Sequence, residues 1–139
     1  MLHEERVSED ISIECIATNK RQLLLNCDST PKFYVVVLSY ELGTSFASYK
    51  VEIGVLKPDG KTVHISHHYT RYSKVLQLYV ESKCTCDFPE KTWFRSGNCA
   101  TVAEYRVNKF NDFFKYLTQI KDVSTLHSFI DIFGKINDN

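Results

Sequence analysis

The sequence predicts an α+β fold, a three-stranded antiparallel meander packed against a helical subdomain. Three observations predict it. Residues 33–69 hold β-branched and aromatic residues in short runs and alternations, punctuated by Gly43 and by Lys57-Pro58-Asp59-Gly60-Lys61. From residue 74 the period changes, and Val75, Leu78 and Tyr79 fall at i, i+3, i+4, one face of a helix. Strands grouped ahead of helices, instead of alternating with them, point to α+β and not α/β.

Residues 1–10 are polar and read as a frayed end. Ile11, Ile13 and Cys15 alternate with neighbours as a weak strand. Asn19-Lys20 would turn the chain into residues 22–25, a small extra hairpin, and Asp28-Ser29-Thr30-Pro31 reads as a loop. The strand at 33–42 is ended by Gly43, and its Val35-Val36-Val37 run predicts burial on both faces. In the strand at 46–56, Tyr49, Val51, Ile53 and Val55 share one face while Lys50 and Glu52 point away. Gly60 suits the hairpin turn into the strand at 62–69.

Ser73 is a natural N-cap for a helix over residues 74–83. Residues 84–99 form a 16-residue loop without periodicity, long enough to suggest function. Thr101 and Glu104 make a T-x-x-E capping box for the longest helix. Val102, Tyr105, Phe110, Phe113, Phe114 and Leu117 give that helix an apolar stripe reaching about residue 120. Ser124 would cap a last short helix, with Leu126, Phe129, Ile130 and Phe133 inward and Gly134 at its end.

Composition narrows the function. The chain has 139 residues, the size of one domain. Its 17 basic and 17 acidic residues cancel, so net charge makes no case for a nucleic-acid partner, although a local basic pocket remains open. The longest apolar run, 33–38, is far short of a membrane span. No charged-then-apolar leader opens the chain. The five cysteines include a lone Cys84-Thr85-Cys86 and no CxxC. His67 and His68 would point to opposite faces of their strand, so no metal site is expected. The expectation is a cytosolic protein with reduced thiols that meets any membrane from outside the bilayer. There is no G-x-S-x-G, Walker loop, H-E-x-x-H or obvious carboxylate pair, so no enzyme and no cofactor are expected.

The chemistry-bearing stretch is Thr70-Arg71-Tyr72-Ser73-Lys74-Val75-Leu76-Gln77-Leu78, at the joint between strand and helix. An arginine at a helix start faces free N–H groups and the positive end of the dipole, a setting that attracts phosphate. Lys91 stands in the loop Phe88-Pro89-Glu90-Lys91, and Arg106 lies one turn into the long helix, in Val102-Ala103-Glu104-Tyr105-Arg106. Singly, each is a solvated surface charge. Together, in this order, they resemble the PX (phox homology) domain, a phosphoinositide-binding module of the sorting-nexin type. Thr70–Val75 looks like the family's R-R-Y-S-D-F, residues 88–91 like its Leu-Pro-x-Lys, and residues 102–117 like its I-x-E-x-R-x-x-x-L helix. Thr70 stands where the family has a first Arg, Val75 where it has Phe, and Pro89 is the loop's one proline.

The resemblance implies a PX-like domain over 31–134, an N-terminal extension over 1–30 and a tail over 135–139. It implies that Arg71 holds the 3-phosphate of phosphatidylinositol 3-phosphate and that Tyr72 packs against the inositol ring. Lys91 would contact the 1-phosphate, and Arg106 the free 4- and 5-hydroxyls. A second register, His67-His68-Tyr69-Thr70-Arg71-Tyr72, would put His68 at the phosphate. Trp93 and Phe94, just after Lys91, would either insert into the membrane or pack the loop onto the long helix. The implied protein is peripheral on endosomal or other 3-phosphoinositide membranes, with other trafficking proteins as further partners. The alternative is a protein-interaction module on the same fold with weak or no lipid binding.

Overall fold

A computed structural model describes residues 7–12, 33–90, 99–118 and 123–134. It is α+β. A four-stranded antiparallel sheet comprises β1 (Val7–Ser12), β2 (Phe33–Leu42), β3 (Ala47–Leu56) and β4 (Thr62–Thr70), in the order β1-β4-β3-β2. The helices are α1 (Tyr72–Ser82), α2 (Ala100–Leu117) and α3 (His127–Phe133), with a 3-10 turn at Val123–Thr125 before α3.

The meander β2-β3-β4 is as expected, and β1 is an addition. Residues 7–10 are not frayed: they pair with β4, Val7 opposite His67 through Ser12 opposite Thr62. The strand is mostly polar because it is an edge and its backbone does the pairing. Only Ile11 among its described side chains packs on the sheet, while Asp10 meets Lys57 and His64, both at 2.9 Å. The hairpin expected at 19–25 and the tail at 135–139 lie outside the described residues.

The β3–β4 turn closes where Gly60 takes φ 72° and donates to the Lys57 carbonyl at 2.9 Å. Asp59 accepts from the Lys61 and Thr62 N–H groups and the Thr62 hydroxyl, which together hold its carboxyl below the usual carboxylate range.

Pairing in register divides the side chains between two faces. Val35, Val37, Tyr49, Val51 and Ile53 meet Val75 and Leu78 of α1, the phenylalanines of α2, and Phe129, Ile132 and Phe133 of α3. On the other face Tyr34, Val36, Val63 and Ile65 form a smaller cluster with Ile11 and Leu56. Val35, Val36 and Val37 are thus buried on both faces, as their run predicted. Glu52 does point away from the helices, but it is fully buried there. A bulge between Val37 and Ser39 re-phases β2, and the Asn111 side chain of α2 clamps the edge beside it. Its Oδ1 accepts from Val37 N–H at 2.7 Å and its Nδ2 donates to the Val37 carbonyl at 3.3 Å.

Helix starts differ from expectation at all three helices. The N-caps are Arg71, Cys99 and Leu126, none with a capping side-chain bond of its own. Ser73 lies inside α1, Ser124 lies in the 3-10 turn, and Glu104 accepts from Tyr40 Oη at 3.0 Å in place of a capping box. For α3 the cap comes from α1: Glu81 accepts the His127 and Ser128 N–H groups at 2.7 and 2.8 Å. The α2 stripe also shifts. Tyr105 is exposed, Ala103 and Arg106 are buried, and the helix ends at Leu117. In α3, Ile132 faces inward where Ile130 was expected to be buried, and Gly134 ends the helix with φ 78°.

Candidate functional site: an open cluster of buried polar groups

Where β4 passes into α1, the backbone of Arg71 is still extended, at φ −138° and ψ 169°. Its carbonyl starts the helix by accepting from Lys74 and Val75 at 3.0 and 3.2 Å. Its side chain turns toward the β2–β3 hairpin, and the guanidinium lies 4.8 Å from the centre of the Phe46 ring. No hydrogen-bond partner meets the buried Nε.

Arg106 reaches the same neighbourhood from α2. A charged residue 5% exposed needs a reason, and the reason is Tyr72: the guanidinium sits 3.9 Å from the centre of that ring. Arg106 Nε likewise has no partner. Tyr72 is itself held from behind. Its hydroxyl donates to the Pro89 carbonyl at 2.7 Å, and its ring lies 6.2 Å from Phe110 and 5.9 Å from Phe88. Phe88 stacks in turn on Tyr79 at 4.5 Å. Residues 88 and 89, read from sequence as part of a headgroup loop, are thus the buttress of Tyr72.

Behind Arg106 stands Tyr49 of β3, fully buried and edge-on to Phe110 at 5.0 Å. Burial pushes its hydroxyl pKa up, partly offset by the adjacent Arg106, which acts on it through a marginal hydrogen bond and through its charge. Thr70 of β4 is its direct cross-strand partner and the residue before Arg71. Thr70 Oγ1 is buried without a hydrogen-bond partner, and Tyr49 Oη has none beyond its marginal contact with Arg106. Among the described residues, the buried side-chain polar atoms without a well-formed hydrogen bond are these two hydroxyls and the two arginine Nε atoms. All four belong to one neighbourhood. Buried polar groups are ordinarily bonded, so four without a well-formed bond at one strand–helix joint call for an explanation.

The structure sets Arg106 against Tyr72, the chain neighbour of Arg71, whose guanidinium lies on Phe46. Lys91, Trp93 and Phe94 lie outside the described residues. His68, the phosphate ligand of the second register, is a core residue instead: it is 3% exposed, 3.0 Å from Ser66 Oγ and edge-on to Phe133 at 5.4 Å. One face of Tyr72 carries the Arg106 guanidinium, so this ring holds an arginine as well as any ligand. Tyr49 and Thr70, which border this cluster, were not singled out from sequence. Thr70 carried a signal, since a small hydroxyl stands where the resembled pattern has an arginine. Tyr49 reads as core by alternation, and its weakly bonded hydroxyl becomes visible only with the fold.

Among the described residues no helix is long and apolar enough to cross a membrane, and no group of three or more His, Cys, Asp or Glu residues could hold a metal ion. No protein-family model and no curated protein matches the chain.

Proposed function

We propose that the chain is a PX-like, non-enzymatic module that binds phosphatidylinositol 3-phosphate and recruits its protein to membranes bearing that lipid. The observation that carries this reading is the cluster of four buried atoms without a well-formed hydrogen bond, two of them arginine nitrogens, at the start of α1. Two guanidinium groups with no salt bridge among the described residues supply the charge a phosphate needs, and each offers a planar fork for paired hydrogen bonds. Arg71, the more exposed of the two and the one at the helix N-terminus, takes the 3-phosphate. Arg106, deeper and braced on Tyr72, takes neighbouring hydroxyls. Leu42, 44% exposed in the adjoining hairpin, and Phe46 beneath Arg71 put apolar surface beside the charge, as a peripheral membrane contact requires. Lys91 is assigned the 1-phosphate, and Trp93 and Phe94 further membrane contact, by resemblance alone.

The test is vesicle flotation over a panel of phosphorylated inositides. The 3-phosphate should be preferred over the 4-phosphate and the 4,5-bisphosphate, because added phosphates crowd Arg106. Arg71→Gln should reduce binding at least tenfold while the melting temperature stays within a few degrees, since its head group bonds nothing in the core. Equal affinity for every anionic lipid would reduce the site to a nonspecific basic patch. Absence of binding would favour the protein-interaction module.

A further inference from the structure

Just beyond α1 two cysteines stand one residue apart, Cys84 and Cys86, both free and half-buried. Lys83 turns the chain out of the helix with φ 58°, in the left-handed region. Burial then alternates: Cys84, Cys86 and Phe88 pack on the core, while Thr85 and Asp87 are exposed. The two thiols thus lie on one side of the segment, within hydrogen-bond reach of each other.

This segment is tied to the cluster at Tyr72. Tyr79 Oη donates to the Cys86 carbonyl at 2.8 Å, the Tyr79 ring stacks on Phe88 at 4.5 Å, and Phe88 lies 5.9 Å from Tyr72. The Pro89 carbonyl, one residue on, holds the Tyr72 hydroxyl at 2.7 Å. A disulfide across Cys84-Thr85-Cys86 closes a ring that contains both intervening peptide groups. Closing it resets the backbone that carries the Cys86 carbonyl. We propose that Cys84 and Cys86 form a reversible disulfide switch, whose closure withdraws the Cys86 carbonyl from Tyr79 and shifts Phe88, and with it Tyr72, against Arg106. The switch acts on Tyr72 and Arg106 whatever ligand that cluster takes.

Cys84 is the attacking sulfur. The Ser82 hydroxyl lies 3.0 Å from Cys84 Sγ and 2.9 Å from the Tyr79 carbonyl, so it can turn from the carbonyl to a thiolate. Burial, then the neighbouring Cys84, push the Cys86 thiol up, so Cys86 keeps its proton until the second step. The oxidant is a hydroperoxide. The Cys84 thiolate attacks one peroxide oxygen, the O–O bond breaks, and the leaving oxygen takes the proton that Cys84 gave up. Cys84 is then a sulfenic acid. Cys86 sulfur attacks Cys84 sulfur, the S–O bond breaks, and the departing hydroxide leaves as water with the Cys86 proton. Two thiols lose two electrons, and one peroxide gains them.

The experiment treats the full chain with hydrogen peroxide and then with dithiothreitol, beside Cys86→Ser and Cys84→Ser. Trypsin cuts after Lys83 and Lys91, so both sulfurs fall in one peptide, whose mass reports the bond. The Arg106 Nε–H resonance reports Tyr72, because the guanidinium lies 3.9 Å from the centre of that ring and feels its ring current. In wild type, peroxide should remove two hydrogens from the 84–91 peptide and move the Arg106 resonance, and dithiothreitol should reverse both. Neither change should occur in either serine variant. A peptide that stays reduced, or is oxidised without closing, would overturn the proposal. So would a closed disulfide with the Arg106 resonance unmoved, or the same resonance shift in the serine variants.

Discussion

On the sheet face turned away from the helices, Glu52 is fully buried, yet Tyr34 donates to one of its oxygens at 2.6 Å and His67 meets the other at 2.9 Å. On the face turned toward them, three residues back along β3, Tyr49 is equally buried and its hydroxyl has only a marginal contact with Arg106. The same two strands thus carry one polar cluster that is closed by its own neighbours and one that is left open. Burial alone does not separate them. The hydrogen-bond count does: satisfied groups fix the position of a strand, whereas open ones cost stability unless something else binds them.

The comparison breaks most visibly at Glu52. Glu52→Ala removes the shared acceptor of Tyr34 and His67 and leaves a hole in a closed face. It should cost about 3 kcal/mol in urea unfolding; a loss under about 1 kcal/mol would mean the closed cluster is no more structural than the open one. Gly54→Ala attacks the same cluster sterically. Gly54 pairs with Tyr34, and an added Cβ would strike that ring and push the hydroxyl off Glu52. A loss of about 2 kcal/mol is expected, within the range for overpacking.

The paired hydroxyl removals sharpen the contrast. Tyr34→Phe should cost roughly 1.5 kcal/mol, because a bond to a carboxyl group is lost. Tyr49→Phe should cost nothing or stabilise slightly. Equal destabilisation of the two variants would erase the distinction between the faces.

The smallest effect lies at the α1–α3 contact, outside both clusters. Bonds from Ser128 and from the His127 N–H hold the Glu81 pKa below its ordinary value. A depressed folded pKa gives stability that is full above the unfolded value and lost as pH falls through the folded one. Melting temperatures of wild type should therefore drop below about pH 4.3 more steeply than those of Glu81→Gln. Parallel acid limbs would show that this cap contributes nothing that protonation removes.

Much of the architecture was legible in sequence because its signals are local. The 33–42 run, the Pro58-Asp59-Gly60 turn and the change of period near Thr70 each report on neighbouring residues. What was not legible depends on partners distant in sequence. Ser8, Glu9 and Asp10 look like a frayed end, since an edge strand is defined by the backbone of β4. Ser73, Thr101 and Ser124 look like caps, but α3 receives its cap from Glu81, 46 residues before His127. Glu52 looks solvated until Tyr34 and His67 are brought to it. Of the residues named from sequence order, Arg106 packs on Tyr72, next in the chain to Arg71, whereas the pairing of Tyr49 with Thr70 needed the β3–β4 register to be seen.

The central claim, that the open cluster is a 3-phosphoinositide site, is tested most directly by thermal unfolding with soluble dibutanoyl phosphatidylinositol 3-phosphate. A ligand that binds only the folded state at about one hundred times its Kd adds roughly 2.7 kcal/mol. Wild type should therefore melt several degrees higher with the 3-phosphate and little higher with the 4-phosphate, while Arg71→Gln, folded and melting near wild type alone, should show no shift. An equal shift in Arg71→Gln, or the same shift with both lipids, would contradict the claim.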